Sequence, residues 1–278
     1  ESAAWLKTQG FEVDYAPVDA RGFVKVDALS SLLRPDTTLV SVMAVNNEIG
    51  SIQPIHEIAA LLEDRPTISF HVDAVQALAK VATEVYLPER VDFATFSSHK
   101  FHGLRGVGFV YIKEGKKITP LLTGGGQEKE MRSTTENVAG IAATAKALRL
   151  AMENQEVFAS KTQQMKEVIR KELANYPDVT VFSGEDHFAP HILTFGIKGV
   201  RGEVVVHAFE EFDIYISTTS ACSSKAGKPA GTLIAMGVDK SIAQTAVRLS
   251  LDIENDMSQV EQFLTKFKLI YEQTRKVR

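Results

Sequence analysis

Residues 91–108 read VDFATFSSHKFHGLRGVG, an apolar run that ends in two serines, a histidine and a lysine. The first six residues are typical of a buried strand, and Gly103, Gly106 and Gly108 then loosen the chain. A lysine at the end of such a strand is partly desolvated, which frees its amine to form a Schiff base with a carbonyl cofactor. The commoner alternative is a lysine whose ammonium reaches solvent. The meaning of Lys100 therefore depends on the rest of the chain.

Strand and helix patterns alternate around this stretch up to about residue 112. Short apolar runs predict strands, and two amphipathic runs predict helices. Alternation of this kind is typical of an α/β domain with a mainly parallel sheet. The predicted strands are 13–16, 39–45, 68–72, 91–96 and 107–112, and the predicted helices are 26–33 and 54–63.

The later part of the chain predicts a second domain. A helical pattern rich in Ala, Lys, Glu and Gln at 137–175 predicts one long connecting helix. Residues 176–278 mix strand and helix patterns, which predicts a smaller α+β domain, and residues 1–136 would be the remainder of the large domain. Because the chain opens on Glu1 within a helical pattern, we expect it to be a fragment of a longer protein. The predicted strands here are 179–182, 192–197, 214–217 and 246–251, and the helices are 201–212 and 258–275.

Composition limits the possible partners. The 278 residues carry 31 basic and 35 acidic side chains, a net charge of −4, so neither nucleic acid nor an anionic membrane surface is the expected partner. The single cysteine, Cys222, excludes an intrachain disulfide and fits a reducing compartment. No apolar stretch has the length of a membrane span. We expect a cytoplasmic protein.

Polar residues follow the two strands that precede the lysine strand. Asp73 and Gln76 follow one of them, and Asn46 and Asn47 follow the other. The α/β folds bind ligands at the carboxyl ends of their parallel strands. A carboxylate there can keep the ring nitrogen of a pyridine cofactor protonated, and an amide can donate to a ring oxygen. The alternatives are a helix N-cap for Asp73 and simple turn formation for the asparagines.

Several groups could bind a phosphate. Ser97 and His99, beside the lysine, can donate from a hydroxyl and a ring nitrogen. The glycines at 124–126 could form a backbone nest, although a flexible hinge is the commoner role. Residues 132–135 read RSTT and precede the long helix, where anions are favoured. A metal site formed by the histidines of this region is disfavoured, because no carboxylate or thiol stands beside them at ligand spacing.

Two further residues are candidates for substrate chemistry. Cys222 lies among small polar residues at 217–227, which predicts an accessible loop where a thiolate could act as a nucleophile. The alternative is a small buried hydrophobe. Arg248 interrupts an apolar, strand-like segment and needs an anionic partner, which a substrate carboxylate would supply by a bidentate contact.

Six stretches of the sequence resemble, in order and with similar spacing, the cysteine desulfurases of the NifS/IscS type. These enzymes form part of the class V group of pyridoxal-phosphate (PLP) enzymes with the aspartate-aminotransferase fold. The resemblance implies a large PLP-binding domain with a mainly parallel sheet and a smaller C-terminal α+β domain. The stretches are VNNEIG (45–50), HVDAVQ (71–76), FSSHKFHGLRGVG (96–108), GGGQE with MRSTTEN (124–137), TSACSS (219–224) and VRLSL (247–251).

The resemblance also implies roles for individual residues. Lys100 is similar to the lysine that binds the cofactor as a Schiff base, and Asp73 to the partner of the pyridinium nitrogen. Arg248 resembles the clamp for the substrate α-carboxylate, and Cys222 the nucleophile that accepts sulfur as a persulfide. The remaining implied contacts are Asn47 and Gln76 with the ring and its hydroxyl, Asn47 also with substrate, and Ser97, His99 and, across a homodimer interface, Thr135 with the phosphate.

The implied reaction removes sulfur from L-cysteine, leaves L-alanine and passes the sulfur to an acceptor protein, either an iron–sulfur scaffold or a tRNA thiolase. His99, next to Lys100, is also expected to be a catalytic residue. Two positions depart from the family pattern: Thr134 replaces a glycine of RSGT, and Asp252 replaces the glycine of SLG. The family's first phosphate-binding turn and its ring-stacking histidine would lie upstream of Glu1. We therefore expect the chain as given to bind the cofactor poorly or not at all, which could leave it inactive.

Two other functions remain open at this point. The chain could be another class V enzyme, such as a selenocysteine lyase or an aminotransferase, neither of which needs Cys222 as a sulfur carrier. It could also be a non-catalytic module for dimerisation or acceptor docking. Retention of Lys100, Asp73, Cys222 and Arg248 together favours the desulfurase.

Overall fold

The computed structural model describes residues 2–219 and 231–276, which fold around two four-stranded sheets. The first sheet has the order β1-β2-β3-β4. The first three strands are parallel, and the fourth pairs antiparallel with the third. The strands are β1 (Leu39–Met43), β2 (Ser69–Asp73), β3 (Phe93–Ser97) and β4 (Gly108–Ile112). The predicted mainly parallel sheet is confirmed.

Burial explains the local sequence of this sheet. In β2 and β3 every second side chain is buried, among them Phe70, Val72, Ala94 and Phe96, which is the period of a strand with one face in the core. Helices connect the parallel strands, as parallel pairing requires. The helices of this half are α1 (Ser2–Thr8), α2 (Val26–Leu32), α3 (Ile55–Leu61) and the short α4 (Thr83–Tyr86).

The second sheet is antiparallel and has the order β5-β6-β8-β7. Its central strand β6 is buried at all six positions. Helices α6, α7 and α10 contribute side chains to the core beside it, including a stacked pair of rings, Phe209 and Phe263, at 5.0 Å. The strands are β5 (Val179–Val181), β6 (Ile192–Ile197), β7 (Ser217–Thr218) and β8 (Ala246–Ser250); the helices are α5 (Val138–Glu153), α6 (Gln155–Leu173), α7 (Gly202–Glu210), α8 (Gly231–Ala235), α9 (Lys240–Ala243) and α10 (Met257–Lys276).

The prediction of one unbroken connecting helix over 137–175 is wrong. The segment forms two helices, α5 and α6, which meet at Asn154. Asn154 has φ −106° and ψ 7°, outside helical geometry, and its side-chain Nδ2 donates to the oxygen of Leu150 at 2.8 Å. An asparagine side chain competes with the backbone ladder in this way, so the helix ends there and a new one begins.

The other predicted elements differ from the structure mainly at their ends. The exceptions are the predicted strand at 13–16, where the structure has no strand, and the one at 214–217, which shares only Ser217 with β7. Short helices α4, α8 and α9 were not predicted. No helix in the described ranges combines the length and the apolar character needed to cross a membrane.

The two halves touch through a small apolar cluster. Ile49, in the turn after β1, packs with Phe188, Leu233 and Ala246 of the C-terminal half. This cluster places the turn after β1 directly against the antiparallel sheet, and so brings the predicted site residues of the two halves together.

Candidate active site

The carboxyl ends of the three parallel strands form one edge of the first sheet. Met43 pairs with Asp73, and Asp73 pairs with Thr95, two residues before Ser97 ends β3. Asn47, Asp73, Ser97 and Lys100 therefore follow or end neighbouring strands at the same edge. This is where α/β folds bind their ligands.

Lys100 lies in a single 3-10 helix, Ser98–Phe101, immediately after β3. It is half-buried, and the neighbouring His99 is exposed. The amide hydrogens of His102 and Gly103 both bond to the oxygen of Ser98, which closes the turn. The Ser98 hydroxyl lies 2.8 Å from Thr144 Oγ1 in α5, so the turn is also attached to the connecting helix.

Two of the glycines after Lys100 lie too close to neighbouring atoms for a side chain to fit. A Cβ on Gly103 would lie 1.9 Å from Ser98 Oγ, and a Cβ on Gly108 would lie 2.5 Å from the oxygen of Phe96. Both contacts are far below van der Waals distance. The glycine-rich stretch thus lets the chain fold back tightly on the lysine turn before it enters β4.

Asp73 ends β2 and is exposed at the sheet edge. One carboxylate oxygen, Oδ1, accepts a hydrogen bond from Val75 N at 3.0 Å, which closes a local turn. No helix begins here, since α4 starts at Thr83, so the helix N-cap considered from the sequence is wrong. The turn contact and a cofactor role are compatible, because a carboxylate can accept several bonds. Gln76 follows in the same turn and is half-buried.

His71 lies two residues before Asp73 in β2, and its ring is held between two hydroxyls. Its Nδ1 lies 2.7 Å from Ser41 Oγ, and its Nε2 lies 3.1 Å from Thr95 Oγ1. Burial lowers the pKa of His71, and the charge of Asp73 partly opposes this. Within the described residues no group of three His, Cys, Asp or Glu side chains is placed to hold a metal ion.

The turn after β1 is held against the C-terminal half by several polar contacts. Asn46 shapes the turn, since its Oδ1 accepts from Glu48 N at 2.8 Å and from Ile49 N at 3.0 Å. Asn46 Nδ2 also donates to Thr232 Oγ1 at 3.2 Å, and Thr232 N donates to Glu48 Oε2 at 3.1 Å. Residues of both halves therefore hold the turn that carries Asn47.

Arg248 lies in β8, opposite Thr194 of β6 and Ser217 of β7. Its Nη1 donates to the main-chain oxygen of Asn47 at 2.7 Å. The guanidinium thus reaches out of the second sheet to the carboxyl edge of the first. The structure brings together the predicted substrate clamp and the predicted ring contact.

Sequence reasoning missed the side chains that position this turn. Ser183 Oγ donates to Ile49 O at 2.6 Å, and Thr194 Oγ1 donates to Glu48 O. Both hydroxyls are buried, Ser183 at 1% and Thr194 at 0% exposure. Thr194 inside the apolar run ILTFGI was a usable signal, because a buried hydroxyl needs a partner.

The interior behind the site is rich in positive charge. His191 is 4% exposed, and neither ring nitrogen has a hydrogen-bond partner among the described residues. Burial lowers the pKa of His191 well below its usual value, and the charges of Lys80, Lys166, Arg248 and Lys100 lower it further. Four cations around one neutral imidazole favour the binding of anionic groups nearby.

Two predicted contributors lie elsewhere. Thr135 is exposed in the segment before α5, and its predicted contact with a neighbouring subunit stays a prediction. In the loop at 124–130, Gly124 and Gly126 have positive φ, as do Glu128, Lys129 and Glu130. Two amides of this loop are already hydrogen-bonded, Gly126 N to Ser133 Oγ at 3.4 Å and Glu130 N to Gly126 O at 3.0 Å, and the predicted anion nest stays a prediction. Cys222, the predicted nucleophile, lies outside the described residues.

A mainly parallel sheet with a lysine at a central strand end, beside a small antiparallel domain, is the architecture of the PLP-dependent transferases. The chain belongs to the aminotransferase class-V family, whose sequence profile matches residues 2–263.

Its relatives within this family are of the NifS/IscS type. A NifS/IcsS protein homolog from Lactobacillus delbrueckii subsp. bulgaricus is 50% identical over 98% of this chain and 71% of its own length. The cysteine desulfurase IscS of Clostridium botulinum is 38% identical over 99% of this chain and 70% of its own length. A solved structure of a NifS-like protein has a TM-score of 0.88 at 37% identity, covering 97% of this chain and 70% of that one. The chain spans about 70% of the length of these relatives.

Pyridoxal phosphate is the cofactor of this family, and the residues present fit it. Asp73 offers a carboxylate for the ring nitrogen, Lys100 offers an amine for the aldehyde, and Ser97 and His99 offer donors for the phosphate. These side chains are of the kinds that bind pyridoxal phosphate, and their individual roles stay predictions.

Proposed function

We propose that this chain is a pyridoxal-phosphate-dependent cysteine desulfurase. It converts L-cysteine to L-alanine and keeps the sulfur as a persulfide on Cys222, for transfer to an acceptor protein. The cysteine desulfurase names of its relatives support this proposal. Iron–sulfur cluster assembly is the favoured use of the sulfur, and tRNA thiolation is the alternative.

One contact carries the proposal within the structure: the bond from Arg248 to Asn47 at 2.7 Å. A substrate amino acid needs its carboxylate bound and its amino group at the aldehyde that Lys100 holds. Arg248, a cation in a largely buried strand, would bind the carboxylate. The turn that carries Asn47 leads to the sheet edge where Lys100 would hold the aldehyde. The two halves therefore assemble one site.

Each residue has a distinct task. When bound, pyridoxal phosphate accepts the electron pair that forms on the substrate α-carbon. Asp73 holds the proton on the ring nitrogen, and Arg248 orients the substrate through its carboxylate. Lys100 Nζ removes the α-proton and returns protons to carbon.

Cys222 completes the sulfur transfer. Its thiolate Sγ attacks the sulfur of the substrate, so that an S–S bond forms as the Cβ–S bond breaks. The electron pair of the broken bond stays on the carbon side, and protonation there gives L-alanine. The products are L-alanine and the Cys222 persulfide, which balances the atoms of one cysteine and one thiol.

The test combines cofactor capture with product analysis. The purified chain is incubated with pyridoxal phosphate, reduced with borohydride and digested, and mass spectrometry locates the pyridoxyl group. Without reduction, the same preparation is given L-cysteine, and alanine and Cys222 persulfide are measured against a Lys100→Ala variant. In line with the poor cofactor binding expected from the sequence, we expect only a small fraction of the chains to be labelled, with the label on Lys100. Per labelled chain, we expect alanine and persulfide only from the unmodified chain. A chain labelled on Lys100 that makes no more alanine than Lys100→Ala would contradict the proposal.

The outcomes also separate the other candidates. Sulfur release that continues at full rate in Cys222→Ala would favour a selenocysteine lyase or another class V enzyme. Labelling scattered over surface lysines, with none on Lys100, would favour a non-catalytic docking module. We further propose a cytoplasmic homodimer in which Thr135 contacts the partner subunit's phosphate site.

A further inference from the structure

A small polar network lies behind the lysine turn. The ammonium of Lys80 donates a hydrogen bond to the main-chain oxygen of Lys100. Two residues further on, His102 Nε2 lies 3.3 Å from Asp252 Oδ2. The negative charge of Asp252 also favours the protonated form of Lys80. Three side chains from three segments thus converge on the turn that carries Lys100.

Hydrogen bonds hold the backbones of His102 and Asp252. His102 has φ +66°, and its amide donates to Ser98 O at the end of the 3-10 helix. Asp252 lies in a closed turn after β8, in which its amide donates to Asn255 Oδ1 at 2.8 Å. Leu251, between this turn and β8, bonds through its amide to His191 O at 2.8 Å. Asp252 is therefore a rigid extension of the strand that carries Arg248.

This network bears on the position of Lys100 relative to Arg248. Lys100 follows a strand of the first sheet, whereas Arg248 belongs to a strand of the second, so the covalent chain does not fix their separation. A substrate held by Arg248 must present its α-carbon to Lys100 Nζ. A misplacement of about 1 Å between such groups costs on the order of 100-fold in rate.

We propose that Asp252 is a positioning residue, which through His102 and Lys80 sets the Lys100 turn relative to Arg248. The inference rests on the proposed function for its catalytic consequence, but the contact itself does not. Asp252 is also one of the two positions that depart from the family pattern noted in the sequence.

The contact acts on geometry more than on global stability. The side chain of His102 is 62% exposed and that of Asp252 is 36% exposed, and ion pairs this exposed contribute little to the free energy of unfolding. Lys80 is more enclosed, and burial lowers its pKa to about 8, while the charge of Asp252 opposes that shift. Removal of the Asp252 charge should therefore loosen the lysine turn without unfolding the protein.

The test uses Asp252→Asn, which keeps the size of the side chain and removes its charge. Hydrogen exchange of the peptide over residues 98–104, followed by mass spectrometry on the chain without cofactor, reports the turn closed by the amides of His102 and Gly103. We expect exchange there to rise about threefold to fivefold with the unfolding temperature unchanged. Glu210→Gln is the matched control, because Glu210 lies 2.8 Å from His207 in an exposed histidine–carboxylate pair on α7.

Kinetics separate this inference from the proposed function. For desulfuration of L-cysteine, Asp252→Asn should lower kcat about tenfold, with KM within twofold because Arg248 is retained. Asp252→Glu should restore part of kcat. Unchanged exchange over 98–104 in Asp252→Asn would overturn the inference, whatever the activity. Increased exchange in a protein that makes no alanine even without substitution would support the positioning contact and overturn the proposed function instead.

Discussion

Arg248 Nη1 donates a hydrogen bond to the main-chain oxygen of Asn47 at 2.7 Å, across 201 positions of sequence. Arg248 belongs to the antiparallel sheet, and Asn47 follows the first strand of the mainly parallel sheet. The bond therefore joins the two halves at the point where each carries a residue predicted for the site. A main-chain acceptor satisfies one arm of the guanidinium and fixes its plane.

We expect Arg248→Lys to lose most of its activity toward L-cysteine. Lysine keeps the charge but cannot bond Asn47 O and a substrate carboxylate in one plane. The value of kcat/KM should fall at least about thirtyfold, which corresponds to about 2 kcal/mol, chiefly through KM. Arg201→Lys is the control, because Arg201 pairs with Glu203 at 2.9 Å on the surface and is 68% exposed. Equal kcat/KM in Arg248→Lys and the unmodified chain would contradict the assignment.

Cys222→Ser should separate cofactor capture from sulfur transfer. The serine hydroxyl is a far weaker nucleophile than a thiolate, so persulfide formation should stop. Labelling of Lys100 by pyridoxal phosphate and borohydride should stay unchanged, since the lysine turn does not include residue 222. The measurement is the mass of the labelled peptide together with alanine release. Alanine release at the full rate in Cys222→Ser would show that the thiol is not the sulfur acceptor.

The sequence predicts best those strands in which the spacing of apolar residues along the chain matches the pattern of buried side chains. Strands β2 and β3 alternate buried and half-buried residues, and β6 is buried throughout, so their apolar runs were unambiguous. The region at 13–16 has comparable apolar residues, but no neighbouring strand pairs with it. Strand formation depends on a partner, which composition does not reveal.

The site was predicted unevenly for a similar reason. Lys100, Asp73 and Asn47 could be placed together because carboxyl ends of parallel strands share an edge. The contacts of Ser183, Thr194 and Lys80 depend on how two sheets meet, which is set by long-range packing. The break of the connecting helix at Asn154 depends on a single side chain that bonds to its own helix.

We expect Asp92→Asn to destabilise the large domain. Asp92 is 2% exposed; its Oδ2 accepts from Phe70 N and Arg90 Nη1, both at 2.8 Å, and its Oδ1 lies 3.2 Å from Lys116 Nζ. Loss of the charge leaves the largely enclosed Arg90 guanidinium, 10% exposed, without its counter-ion, at a cost of about 3 kcal/mol in the free energy of unfolding. Urea denaturation at neutral pH measures this. Asp36→Asn is the control, because Asp36 pairs with Arg34 at 3.4 Å while 77% exposed.

The same residue gives the chain an acid-sensitive stability. Burial alone would raise the pKa of Asp92, but the bonds from Phe70, Arg90 and Lys116 outweigh it and lower the pKa below the ordinary 3.8. The unfolded chain therefore binds this proton at a higher pH than the folded chain does. The stabilisation is complete above about pH 4 and is lost as the pH falls through the lower, folded-state pKa. Asp92→Asn should lack this part of the acid slope, and an identical slope in both proteins would contradict the assignment.

Lys166 should give the chain a rise in stability at alkaline pH. Its side chain is fully buried in α6, and Nζ donates to Ala189 O at 2.8 Å. Burial lowers the pKa of Lys166 from its ordinary 10.5 to about 8. The charge of Arg170 lowers the pKa further, and the charge of Glu167 opposes the shift. Between these two pH values the unfolded state holds the proton and the folded state does not, so the free energy of unfolding rises with pH. The rise attributable to Lys166 is on the order of 3 kcal/mol, and Lys166→Met should remove it. Denaturation of both proteins from pH 7 to pH 11 measures the difference, with Lys171→Met, an exposed lysine on the same helix, as the control. Parallel stability curves for Lys166→Met and the unmodified chain over this range would show that Lys166 keeps its proton when folded.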